Sequence, residues 1–150
     1  MLSHSAMGLF LPLTTEQRIA KSTVIAVIEV KHVDNDKGQS KATVTQAVLG
    51  TKAGESIEVW DDWQIEANGS EGRISGRDPD LVVGKRYLIY LAKNQRGRLV
   101  TVQSSLDSLE VNGDKIDKEG QTGVESLADK LASIRAVVAQ KKKAESGPRE

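Results

Sequence analysis

Trp60-Asp61-Asp62-Trp63 packs both tryptophans of the chain and two carboxylates into four residues, ahead of a connection that also carries Arg73 and Arg77. Aromatic rings beside charged groups suit recognition of a ligand by stacking and hydrogen bonding. Trp60 ends a strand-like run and Trp63 begins a loop, so at most one belongs to a core. Two readings stay open: a platform on which a ligand sits, or plugs that anchor the loop. Trp60, Asp61, Asp62, Trp63, Arg73 and Arg77 are the candidate residues for binding a ligand or partner.

Other chemistry is weakly supported. Ser104, Ser105 and Ser108 lie in an ordinary loop with no base beside them, and Asp61, Asp62, Asp78 and Asp80 form no defined acid–base pair. The glycine-rich "GSEGRISG" (69–76) precedes no helix, which a phosphate-binding loop requires. Asp34-Asn35-Asp36-Lys37-Gly38 has the opening of a calcium loop, but Gln39 and Thr45 stand where the required glycine and glutamate would fall. It reads as a hairpin turn. His4 and His32 share no ligand spacing. The expectation is a protein that is not an enzyme and uses no metal or cofactor.

Composition narrows the classes further. The 150 residues fit one domain, and the absence of cysteine excludes a disulfide framework, thiolate zinc sites and a cysteine nucleophile. Lysine plus arginine and aspartate plus glutamate balance at 21 each, which weighs against nucleic acid as a partner. So does the supply of rings for stacking: two Trp, two Tyr and one Phe. Lys41, Lys52, Lys85, Arg86, Arg96 and Arg98 form a basic patch only if the fold gathers them. No run reaches the roughly 18 apolar residues of a membrane helix. "SAMGLFLPL" (5–13) has no preceding Lys or Arg, so residues 1–13 read as a leader or an added remnant.

The elements that must position these groups follow from patterning. Thr14 and Gln17 form a capping box for a short helix over 13–22, with Leu13 and Ile19 turned inward. "STVIAVIEVKHV" (22–33) is a long strand with one apolar face and a second face that turns polar at Glu29 and Lys31. "DNDKGQS" (34–40) turns into a second strand over 41–50, where Ala42, Val44 and Val48 alternate with Thr43, Thr45 and Ala47 until Gly50 breaks it. "SIEVW" (56–60) is a third strand. Residues 61–80, with three glycines, a proline and eight charged side chains, form a long irregular connection that is mobile or functional.

"DLVVGKRYLIYLAK" (80–93) is the fourth strand; "NQRG" (94–97) turns into "RLVTVQ" (98–103), and Asn112-Gly113 centres a hairpin over 108–116. A helix over 122–143 starts from a Thr122/Glu125 capping box and carries Val124, Leu127, Leu131, Ile134 and Val138 on one stripe. Residues 144–150 read as a disordered tail, which leaves 14–143 as a single domain.

In the fourth strand Tyr87, Ile89 and Leu91 point one way while Leu88 and Tyr90 point the other. A strand apolar on both faces needs cover on both. The C-terminal helix is the natural cover. The result is a mainly β fold: a small five- to six-stranded barrel of the OB type, with a short N-terminal helix and a packed C-terminal helix.

With its leading helix, "STVIAVIEV", Val44 through Val59, and Leu81, Gly84, Tyr87, Leu88 and Ile89, the chain resembles the netrin-module and TIMP-like family, the group related to tissue inhibitors of metalloproteinases. The resemblance covers roughly 15–111. It implies an OB fold and an extracellular, periplasmic or other cell-envelope setting. Inhibitors of that family chelate the protease zinc through an N-terminal cysteine, and that device has no counterpart here. The expected function is a non-enzymatic binding module, with a protein partner favoured, working through the 61–80 loop and the adjacent barrel end. The alternative is an OB-type binder of single-stranded nucleic acid or oligosaccharide that uses the strand face.

Overall fold

The computed structural model describes residues 13–61, 81–102, 107–119 and 122–145. Helix α1 (Thr15–Lys21) starts from the expected capping box: the Gln17 N–H donates to the Thr14 hydroxyl, and the Thr14 N–H donates to the Gln17 side chain at 2.9 Å. Among the described residues eight strands follow: β1 (Val24–Asp34), β2 (Gln39–Leu49), β3 (Ser56–Trp60), β4 (Arg86–Lys93), β5 (Leu99–Thr101), β6 (Ser108–Asn112), β7 (Lys115–Asp117) and β8 (Val124–Ser126). Helix α2 (Leu127–Glu145) ends the described chain.

Strands β1, β2, β3, β5 and β4 close a five-stranded barrel, because β4 pairs with β5 on one side and returns to β1 on the other. All barrel pairs are antiparallel except β3–β5, where Val59 faces Leu99 and Trp60 faces Val100. Strands β6, β7 and β8 extend the sheet outward from β4.

The two faces of β4 divide as the sequence predicts. Tyr87, Ile89 and Leu91 enter the barrel interior with Ala26, Ile28 and Val59. Leu88 and Tyr90 face outward into a second core with Ile25, Val27, Leu131 and Ile134, closed by the two helices. Complete burial of each such aliphatic side chain contributes about 1.5–3 kcal/mol. In β1 the boundary falls where the pattern turns: Val27 is buried, Glu29 is half-buried and Lys31 is exposed.

Two expectations are corrected. The alternation assigned to β2 fails because two of the three register slips against β1 place an extra residue on β2: Ile28 faces Val44 but Val27 faces Gln46, and Ala26 faces Ala47 but Ile25 faces Leu49. An extra residue shifts every following side chain to the other face. Ala47 therefore packs on the barrel interior and Val48 on the helix side, the reverse of strict alternation. Gly50 then ends β2 with φ of +73°, and a Cβ there would lie 2.0 Å from the Thr23 carbonyl oxygen.

The second correction concerns α2. It begins at Leu127, so the Thr122/Glu125 capping box does not form. Val124–Ser126 instead pairs with β7, leaving Val124 exposed and outside the apolar stripe. Ser126 caps the helix, its hydroxyl accepting from the Asp129 N–H at 3.0 Å. The backbone of Val124–Ser126 takes its pairing from β7 rather than from a further helical turn. Leu127, Leu131, Ile134 and Val138 are all buried as expected.

Candidate functional site

Trp60, the last residue of β3, lies half-buried with the Arg98 guanidinium 3.8 Å from its ring centroid. The turn between β4 and β5 delivers that arginine. The Asn94 side chain accepts from the Arg96 and Arg98 N–H groups at 2.9 and 3.1 Å, and the Gly97 N–H donates to the Asn94 carbonyl at 2.9 Å. The loop is thereby fixed before Arg98 leaves it. Asp61 is buried, and its N–H donates to the Gly38 carbonyl at 3.0 Å, tying the end of β3 to the β1–β2 turn. Asp62, Trp63, Arg73 and Arg77, with most of the 61–80 connection, lie outside the described residues.

Around Trp60 an open groove of about 810 Å³ runs across β2 and β3, bounded by the outer end of β1 and by the β4–β5 turn. Half-buried Ile57 and Leu99, which also pack on the barrel interior, supply its apolar surface. Exposed Lys31, Lys41 and Lys93 join Arg98 on its lining, with Glu58 the carboxylate among them. The sequence singled out Lys41 and Arg98 but missed Lys31, His32 and Lys93. The reason is local. Val30 faces Ala42 while His32 faces Lys41, so Lys31 is the extra residue of a register slip, and consecutive residues come to line one groove. Patterning with a period of two carries no sign of such a slip. Lys52, Lys85 and Arg86 are not brought to the groove.

A second cluster lies beneath the helices. Arg18 of α1 donates to Asp107 at 2.7 Å and to Glu119 at 2.6 Å. Glu119 also accepts from Thr15 at 2.8 Å, from Tyr90 at 2.9 Å and from Lys130 of α2 at 2.7 Å. Asp107 is fully buried; Arg18 and Lys130 are buried too. Burial alone would raise the Glu119 carboxyl, but hydrogen bonds from Lys130 and Thr15, the Lys130 charge and the Tyr90 hydroxyl hold it below the ordinary glutamate range. Burial, reinforced by the charge of Glu119, pushes the Tyr90 phenol well above its usual value, so it stays a neutral donor. The other tyrosine of β4, Tyr87, accepts from the Val82 N–H at 3.1 Å. Each phenol has the partner that burial demands.

Among the described residues two cations meet two carboxylates, and the cluster ties both helices and the segment after β7 to β4. The groove has the opposite character: it is open, and its described lining carries more cations than carboxylates. Among the described residues, no three His, Cys, Asp or Glu side chains gather as a metal site, and no helix is long and apolar enough to cross a membrane. No family model matches the chain, and the search of curated proteins found no match either.

Proposed function

We propose that this chain is a non-enzymatic binding module on an OB-type barrel of the netrin/TIMP-like kind, acting outside the cytoplasm, with the β2–β3 groove as its ligand seat. The observation that carries the reading is the groove itself: an open recess beside Trp60, between the β1–β2 and β4–β5 turns. OB barrels take ligands on that strand face, between those two loops. The strand order β1-β2-β3-β5-β4, closing back on β1, supports the same reading. Metalloproteinase inhibition through a terminal cysteine is excluded by composition.

A photo-reactive residue in place of Thr43, which lines the groove, tests the proposal in cells of the native host. Adducts are expected from position 43 and not from Lys115 on β7, and they are expected in the envelope fraction. Equal labelling from both positions, or none from either, overturns it.

The cations around Trp60 favour a second reading, a binder of single-stranded nucleic acid or oligosaccharide on the same face. Loss of an adduct on nuclease or glycosidase treatment separates it from a protein partner.

A further inference from the structure

The chain is neutral, with 21 basic and 21 acidic residues, yet the groove is not. Among the described residues, Lys31, Lys41, Lys93 and Arg98 line it, with Glu58 as the carboxylate. Lys41 and Lys93 are exposed, and neither forms an ion pair with a described residue. Lys31 meets Glu29 at 3.3 Å in an exposed pair, which solvent screens. Positive potential therefore concentrates over a recess that also offers Ile57, Leu99 and Trp60 as half-buried apolar surface.

We infer that the groove takes an extended acidic segment of a partner protein, whose apolar side chains seat on Ile57, Leu99 and Trp60 while its carboxylates meet Lys41 and Lys93. The inference rests on the binding-module reading above and names the chemistry of its ligand. Charge complementarity selects an anionic chain. The apolar surface selects among anionic chains, because a sulfated or carboxylated glycan has no aliphatic side chains to cover Ile57 and Leu99. Single-stranded nucleic acid draws much of its affinity from bases stacked on successive aromatic rings. Among the described residues the groove lining offers one such ring, Trp60, and Arg98 already covers a face of it at 3.8 Å. An acidic peptide with interspersed leucine and phenylalanine answers both the charge and the apolar surface.

Fluorescence polarisation with short labelled probes tests this. The probes are a peptide of Glu and Asp interspersed with Leu and Phe, the same peptide with Lys for each acid, an oligothymidine, and heparin. The acidic peptide is expected to bind, and the basic one is not. K41E/K93E weakens the acidic peptide about tenfold and flattens its salt dependence. Trp60→Ala also weakens it, Lys115→Glu does not, and thermal melts confirm that each variant is folded. Tighter binding of oligothymidine or heparin than of the acidic peptide overturns the inference, as does acidic-peptide binding indifferent to K41E/K93E. Groove-dependent self-association in sedimentation, abolished by K41E/K93E, also overturns it by making a second copy the occupant. If position 43 yields protein adducts but the acidic peptide fails to bind, the inference falls and the binding-module reading stands. If position 43 yields none, the binding-module reading falls.

Discussion

On the helix-covered face of the barrel, Arg18 and Lys130 each reach a carboxylate within 2.7 Å; on the groove face, Lys41 and Lys93 reach none among the described residues. The same sheet thus handles charge in two ways. Beneath α1 and α2 water is excluded, so every charge must be matched or the fold suffers. Over β2 and β3 water screens the lysines, which cost little while they wait and remain available to a ligand. One face shows what stability demands of charge, and the other what recognition permits.

The contrast breaks first if the covered network proves dispensable. Glu119→Ala leaves Arg18 and Lys130 buried with a partner missing, and urea unfolding is expected to show a loss of about 3–5 kcal/mol. A loss below that of an ordinary surface substitution would mean the cluster is incidental. Next in size is Ile134→Ala, which empties a fully buried site under α2 at about 2–5 kcal/mol and should leave groove binding intact.

Acid sharpens the comparison. The Glu119 carboxyl is held below its ordinary value of 4.5, so its contribution is present above that pH and lost as pH falls through the lower folded value. Urea midpoints should therefore decline below about pH 4.5, and Glu119→Gln should be less stable at neutrality with a shallower acid limb. The smallest effects belong to the other face. Lys41→Ala and Lys93→Ala should each change stability by no more than about 0.5 kcal/mol, read from melting curves. A larger loss at either lysine would turn the groove into a structural feature.

Much of this fold was legible in the chain. Val24 to Val30, with Glu29 and Lys31 opposing, disclosed both a barrel interior and a half-covered outer face. Tyr87 and Tyr90 disclosed the need for cover on both sides of β4, and Leu127, Leu131 and Ile134 supplied the covering stripe. The register slips of β1 and β2 were not legible, because a bulge depends on pairing between strands rather than on either strand alone. That is why Ala47 and Val48 were exchanged, and why the groove lysines went unassembled. Trp60 was identified by type, and the structure adds its partner Arg98 and the recess beside it. The buried network had no local signature either: Arg18 reads as one more charge on a short helix until Asp107 arrives from 89 residues away.

That separation carries a consequence for time rather than for energy. Arg18 bonds to Asp107 across 89 residues and to Glu119 across 101, so the network cannot close until the barrel has drawn those segments together. Joining segments so far apart carries a loop-closure cost, and the network is expected to close after the rate-limiting barrier. In stopped-flow measurements, Glu119→Ala should accelerate unfolding and leave the refolding arm nearly unchanged. The charges under the helices then act as a brake on the way out, and they set how long a folded molecule lasts.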